Sequence, residues 1–132
     1  MTAVIDVSGA MEIVLNKEKA GKFDRALQDS AYVIAPDLYA SELANAFWKY
    51  HSAKMLSKDE CVKYIQQGLG LITRFIDAKE LWEEAFCEGT KNKHPVYDMF
   101  YMVAARRYNG ILITNDSKLA AICKKNHIQI CF

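Results

Sequence analysis

Short apolar segments alternate with longer helical segments along this chain, and this alternation limits the possible folds more than any other feature. Helical patterns separate five strand-like segments, of which the third is the weakest: AVIDV (3–7), AYVIAP (31–36), RFIDA (74–78), ILITN (111–115) and IQICF (128–132). Strands separated by helices pair in parallel through right-handed crossovers. Nearly continuous apolar strands also indicate helices on both faces of the sheet. The sequence therefore predicts a three-layer α/β/α fold with a central parallel sheet of four to five short strands.

Helix boundaries are marked by residues that favour helix ends. Asp37 is placed to cap a helix over 37–54, and Ser57 with Glu60 forms a capping-box pattern at the start of the next helix. Pro95 lies near the first position of a helix that ends before Gly110. These signals support the alternation and leave no long stretch without predicted structure.

The size and composition of the chain favour one soluble folded domain spanning residues 1–132. The chain is 52% hydrophobic and 25% charged, which is typical of a globular protein, and no apolar run approaches the ~20 residues of a membrane span. The first residues lack a basic region and include Asp6 within their apolar stretch, so no signal peptide is predicted. The four cysteines are widely spaced and are expected to be reduced thiols that mostly fill the core of a cytoplasmic protein.

Four acidic residues fall where a parallel sheet presents its binding edge. Ligands bind such sheets beyond the carboxyl ends of the strands, at the point where the strand order reverses. Asp6 and Asp116 lie at or just past the ends of two predicted strands. Glu42 lies in the second turn of the helix after 31–36, and Asp98 lies in the first turn after Pro95. We therefore expect the four carboxylates to share one edge of the sheet.

Each of these acids also has a purely structural interpretation. Asp116 precedes SKLAAI and would make a good helix cap, while Asp98 is favoured in a first turn by the helix dipole. Glu42 alone would be an ordinary half-exposed helix residue. Asp6 is the hardest to explain in this way because strands disfavour Asp.

Carboxylates gathered at one edge repel one another unless a cation neutralises them. Oxygen ligands alone favour Mg²⁺ or Mn²⁺ over zinc. An ion of this kind suits phosphodiester hydrolysis, because it orients a phosphate oxygen and activates the attacking water. The net charge of +1 excludes a strongly basic global field for binding nucleic acid, although it permits a local basic rim.

Four segments carry a resemblance to a known family: VIDVSGAMEIVL, APDLYASELANAFWKY, HPVYDMFYMVAARRYNGILITND and SKLAAICKK. In order and spacing they resemble the motifs of PIN-domain proteins, and the size and layout resemble the VapC-type toxin ribonucleases of toxin–antitoxin pairs. The resemblance implies a PIN fold with the first strand at the centre of the sheet. It assigns catalysis and metal binding to the acidic set, with three polar residues in support: Asp6, Glu42, Asp98 and Asp116, assisted by Thr114, Asn115 and Ser8.

The resemblance also implies partners. Members of this family typically cleave RNA with Mg²⁺ or Mn²⁺, form homodimers and are silenced by a cognate antitoxin protein. Lys118 and Lys93 are the basic residues that we select as RNA contacts, although either could be an ordinary surface lysine. The aromatic residues of the 37–54 helix, Trp48 among them, are expected to be mostly core, with part of the cluster available for a dimer or antitoxin groove. No membrane association is predicted.

Two other functions are open to a chain of this kind. One is a catalytically silent PIN-fold module that binds RNA or protein, which the filled acidic set disfavours. The other is a phosphotransfer domain of the receiver or dehalogenase type. Those domains need a second acid beside or two residues after the acid of the first strand, and here the neighbouring residues are Ile5, Val7 and Ser8.

Overall fold

A five-stranded parallel sheet with the order β3-β2-β1-β4-β5 runs through the centre of the computed structural model, which describes residues 1–132. The strands are β1 (Thr2–Ile5), β2 (Tyr32–Pro36), β3 (Arg74–Ile76), β4 (Ile111–Ile113) and β5 (Ile130–Cys131). The helices are α1 (Val7–Val14), α2 (Ala20–Gln28), α3 (Leu38–Ser52), α4 (Lys58–Gly70), α5 (Trp82–Asn92), α6 (Val96–Arg107) and α7 (Ser117–Lys125). The predicted three-layer α/β/α fold and its parallel pairing are confirmed.

The first strand lies at the centre of the sheet, as the family resemblance implied. Val4 of β1 pairs with Ile34 of β2 on one side and with Leu112 of β4 on the other. The chain adds β2 and β3 on one side of β1 and then crosses over to add β4 and β5 on the other. The strand order therefore reverses between β1 and β4, and the crevice at the carboxyl ends of these two strands is the expected binding edge.

The first strand is shorter than its predicted range of 3–7. It ends at Ile5, and α1 already begins at Val7 because the Asp6 side chain caps that helix. The Asp6 carboxylate accepts a hydrogen bond from the backbone N–H of Gly9, so one of the free amide groups at the helix start is satisfied. Strand and helix are thus joined by a single residue.

Other boundaries follow the sequence signals with two corrections. The capping box of Ser57 and Glu60 forms as predicted. Asp37 occupies the N-cap position of α3, but its side chain accepts a hydrogen bond from the backbone N–H of Ala78 and does not cap the helix. The predicted helix over 78–92 is divided into a 3₁₀ turn, Ala78–Glu80, and α5.

The core contains both the sheet and the aromatic residues of the long helices. Tyr39, Phe47 and Tyr101 are fully buried, whereas Trp48 is 62% exposed. All four cysteines are free, as predicted, but Cys87 is exposed and does not fill the core. None of the helices combines the length and apolar character that crossing a membrane would require.

Gly9 allows α1 to approach β4 closely. A Cβ atom added at Gly9 would lie 2.9 Å from the carbonyl oxygen of Ile113 and 3.1 Å from a side-chain carbon of Ile5. Backbone cannot move out of the way as a flexible side chain can. This close contact fixes the start of α1 over the carboxyl end of β4.

We expect Gly9→Ala to lower the free energy of unfolding by about 1–3 kcal/mol, because the added methyl group overpacks this contact. Gly21→Ala is the matched control. Nothing lies within 4 Å of an added Cβ at Gly21 in α2, so this change should raise stability by about 0.5 kcal/mol. Urea denaturation of both variants measures the difference, and equal effects would show that the close approach is unimportant.

Candidate active site

Asp6 stands at the carboxyl end of the central strand and is 6% exposed. One carboxylate oxygen, Oδ1, accepts hydrogen bonds from the Ser8 hydroxyl at 2.7 Å and from the backbone N–H of Gly9 at 2.8 Å. The backbone N–H of Asp6 donates to the carbonyl oxygen of Ile113, which extends the pairing with β4. The backbone of Asp6 is therefore held by β4, and its side chain is held by the first residues of α1.

Two hydroxyl groups close the crevice between β1 and β4. The fully buried Thr114 donates its hydroxyl hydrogen to Oδ2 of Asp6, and its Oγ1 accepts the backbone N–H of Asp116 at 3.0 Å. The Ser8 hydroxyl oxygen accepts the backbone N–H of Asn115 at 2.8 Å. Ser8 and Thr114 therefore contact Asp6 directly, while Asn115 takes part through its backbone and has an exposed side chain.

Burial raises the pKa of Asp6 from 3.8 to about 6. The hydrogen bonds from Thr114, Ser8 and Gly9 lower this pKa, but they do not offset the loss of solvation, and the charge of Asp98 raises it further. Asp6 is thus a carboxylate that the protein holds firmly but solvates poorly.

Glu42 reaches the same region from the second turn of α3. Its Oε1 accepts a hydrogen bond of 2.6 Å from the hydroxyl of the buried Tyr101 in α6. Partial burial raises the pKa of Glu42, the bond from Tyr101 lowers it, and the charge of Asp98 raises it. The sequence did not predict a role for Tyr101, because a large aromatic residue on the apolar face of a helix usually belongs to the core.

Asp98 connects these groups electrostatically. It lies in the first turn of α6 with 30% of its side chain exposed, and its charge raises the pKa of both Asp6 and Glu42. Its Oδ2 lies 2.7 Å from Nε2 of His94. His94 was also missed in the sequence, although its spacing of four residues from Asp98 across a helix start was a usable signal.

Asp116 has the structural role that its sequence context predicted. Its Oδ1 caps α7 by accepting the backbone N–H groups of Lys118 and Leu119 at 2.9 and 3.0 Å. It connects to Asp6 through Thr114, which contacts both residues. The charge of Asp98 thus acts on both Asp6 and Glu42, and Asp116 lies two residues after Thr114, whose hydroxyl donates to Asp6.

These side chains do not form a preassembled metal cage. No group of three or more His, Cys, Asp or Glu side chains has an arrangement that could hold a metal ion. The ligand set Asp6, Glu42, Asp98 and Asp116 therefore stays a prediction. The same holds for RNA contacts by Lys93 and Lys118, which are both exposed, and Lys93 ends α5 in a left-handed conformation.

No lysine or arginine forms an ion pair with the acidic residues of the site. The arginine ion pairs link Arg106 and Arg107 to α5, and among the site residues only Asp98 has a basic partner, His94. Behind the site, burial raises the pKa of the Cys123 thiol to about 12, with further increases from the charges of Asp6 and Asp98. A thiol with a raised pKa is a poor nucleophile at neutral pH.

Comparison with known proteins gives a consistent result. No family model matches the chain. Over 126 residues the chain is 28% identical to Ribonuclease VapC3 of Pyrobaculum aerophilum, covering 91% of this chain and 93% of that protein. The crystal structure of PAE2754 from the same organism superposes with a TM-score of 0.76 at 17% identity, covering 98% and 83% of the two chains. A Rickettsia felis VapBC2 structure, solved with a DNA fragment from its promoter, superposes with a TM-score of 0.67 at 13% identity over 99% and 98%.

The parallel sheet with its first strand at the centre is that of the PIN fold, which the solved structures share. Over nearly its whole length the chain is similar in sequence to Ribonuclease VapC3, and it shares its fold with the VapBC2 structure.

The raised pKa of Asp6 predicts a pH-dependent stability. The folded protein binds the Asp6 proton more tightly than the unfolded chain does. Protonation of Asp6 therefore stabilises the fold fully below pH 3.8, and this stabilisation is lost as the pH rises through about 6. The shift corresponds to about 3 kcal/mol. In metal-free buffer at about pH 8, Asp6→Asn should therefore raise the free energy of unfolding by about 1–2 kcal/mol, because Thr114 must also reorient. The advantage should shrink near pH 4.5.

Urea denaturation with a chelator present measures both values. The exposed Asp29→Asn is the control and should change stability little at either pH. If Asp6→Asn is less stable than the parent protein at both pH values, the burial cost assigned to the carboxylate is wrong.

Proposed function

We propose that this chain is a metal-dependent endoribonuclease that hydrolyses RNA phosphodiester bonds as the toxin of a type II toxin–antitoxin pair. The observation that carries the proposal is the buried Asp6, held at the carboxyl end of the central strand, with Asp98 close enough to raise the pKa of both Asp6 and Glu42. The similarity to Ribonuclease VapC3 supports RNA as the substrate and ribonuclease as the activity.

The donor chemistry of the site fits a divalent cation. All four acids offer carboxylate oxygens, which favour Mg²⁺ or Mn²⁺. Asp6 and Glu42 have no basic partner in the protein, and burial raises the pKa of both. A bound cation would remove this electrostatic cost. Asp6, Glu42, Asp98 and Asp116 are the residues that we propose to hold it.

When bound, such an ion would polarise a phosphate oxygen of the RNA and activate the attacking water. The residues of the chain then have distinct tasks. Ser8 and Thr114 hold both oxygens of Asp6, so that the carboxylate does not have to reorganise during the reaction. Tyr101 orients Glu42 through its hydrogen bond to Oε1. The acidic groups accept the proton of the attacking water or direct it towards solvent.

RNA is positioned by groups outside the acidic crevice. We assign phosphate contacts to Lys118 and Lys93, which are exposed beside the helix starts that carry Asp116 and Asp98. The exposed side chain of Asn115 stands between Thr114 and Asp116 and can donate a hydrogen bond to the substrate. These contacts would orient the backbone without selecting its sequence.

A protein antitoxin and a second copy of the chain are the proposed protein partners. The VapBC2 structure supports an antitoxin, because it contains such a pair on promoter DNA. The exposed ring of Trp48 on α3, beside otherwise buried aromatic residues, offers an apolar contact for one of these partners. The proposed pair would act in the cytoplasm.

Asp6→Asn and Asp98→Asn should each lower Mg²⁺- or Mn²⁺-dependent RNA cleavage by at least about 100-fold, because each removes a negative ligand oxygen from the reacting centre. Cleavage of a labelled RNA by purified protein, with and without a chelator, measures the effect. Asp29→Asn is the control, since Asp29 is exposed at the C-cap of α2 and is not one of the acidic site residues. Folding of each variant is checked by thermal unfolding.

Full cleavage by the Asn variants would refute the acidic site. Folded parent protein that neither binds Mn²⁺ by calorimetry nor cleaves RNA would instead favour the silent RNA- or protein-binding module.

The toxin role has a separate test. Induced expression of the parent chain should arrest growth, whereas the Asp6→Asn chain, which loses its metal ligand but keeps its fold, should not. Co-expression of a small protein encoded beside this gene should restore growth of the parent strain. Equal growth of parent and Asp6→Asn strains would separate the nuclease activity from any role as a toxin.

A further inference from the structure

The turn between α5 and α6 fixes the backbone of His94. Lys93 adopts a left-handed conformation with φ 53° and ψ 48°, and the backbone N–H of His94 donates to the carbonyl oxygen of Gly89 at 3.0 Å. A Cβ at Gly89 would lie 3.0 Å from both the carbonyl oxygen of His94 and Cγ2 of Val96. The two helices thus approach closely at this turn, and His94 has little freedom to move.

The imidazole of His94 lies behind Asp98. Its side chain is 12% exposed, compared with 30% for Asp98, and its Nε2 lies 2.7 Å from Oδ2 of that carboxylate. His94 precedes Pro95, which occupies the N-cap position of α6 without a side-chain cap. The contact therefore joins Asp98 of α6 to a residue of the turn before this helix, and it is not a contact between two residues of α6.

This contact leaves the two oxygens of Asp98 in different situations. Oδ2 is engaged by His94, whereas Oδ1 makes no hydrogen bond within the protein. An acid in a first helical turn is attracted by the free N–H groups of its own helix. Without His94, the carboxylate would be free to rotate towards those groups and away from Asp6 and Glu42.

We infer that His94 is a positioning residue for the active site: by holding Oδ2 of Asp98, it keeps Oδ1 available as a ligand for the divalent cation. The inference rests on the proposed function. Groups that orient a metal-binding side chain typically contribute 10–100-fold to metal affinity. His94 itself touches neither the cation nor the substrate.

Three substitutions separate the hydrogen bond from the bulk of the ring. His94→Leu removes the donor and keeps an apolar side chain, and His94→Asn keeps an amide that is too short to reach Oδ2. His94→Gln places an amide nitrogen near the position of Nε2 and should restore the contact. His51→Gln is the control, because His51 is exposed at the end of α3.

Calorimetric titration of each folded protein with Mn²⁺ is the primary measurement. We expect His94→Leu and His94→Asn to bind about tenfold more weakly or worse, and His94→Gln to stay within about threefold of the parent. Saturating Mn²⁺ should restore RNA cleavage by the weak binders to within a few-fold of the parent rate, because the reacting groups are unchanged. Thermal unfolding in a chelator identifies any variant that does not fold. If His94→Leu does not fold, the Mn²⁺ affinity of His94→Asn tests the inference.

Parent-like Mn²⁺ affinity in His94→Leu or His94→Asn would overturn the inference, as would an equal loss in His94→Gln. These outcomes leave the proposed function intact, provided that the parent protein binds Mn²⁺ and cleaves RNA. A folded parent protein that does neither would refute the proposed function, and the positioning role would fall with it.

Discussion

The site depends on the way the protein holds a single buried carboxylate. Asp6 ends the central strand, caps the following helix and receives a hydroxyl group from beyond the neighbouring strand. The same carboxylate thus joins β1, α1 and the segment after β4 at the place where the strand order reverses. Loss of any of these contacts would leave a poorly solvated charge without compensation. The geometry of the crevice and the stability of the sheet are therefore coupled through this residue.

Asp6 is a buried carboxylate without a basic partner, and this arrangement lowers the stability of the fold while it leaves the carboxylate free for a ligand. A protein selected only for stability would place an arginine beside such an acid or remove the charge. Here the arginines form ion pairs with Glu84 and Glu88 on α5, while Asp6 and Glu42 keep no basic partner. The protein thus accepts a destabilising carboxylate, as is common at functional sites. A divalent cation would offset that cost only when the site is occupied.

The sequence predicted the fold well because the alternation of strands and helices leaves few arrangements of a parallel sheet. It also located the four acids, since each follows a strand or begins a helix. It predicted the helix cap that Asp116 forms, but it could not separate that role from metal binding, because both use a carboxylate at the same position. The role of Tyr101 was missed because its contact with Glu42 becomes visible only when α3 and α6 are packed together. The contact of His94 with Asp98 is local, and the spacing of four residues was its only sign in the sequence.

The contact between Asp6 and Thr114 joins residues 108 positions apart in the chain. A growing polypeptide that has not reached Thr114 carries Asp6, Glu42 and Asp98 but lacks the hydroxyl, the strand β4 and the helix α7 that complete the crevice. Contacts of such large sequence separation form late and slowly. Synthesis must therefore reach Thr114 before the acidic crevice can form, so a nascent chain that carries only Asp6, Glu42 and Asp98 does not yet hold the site.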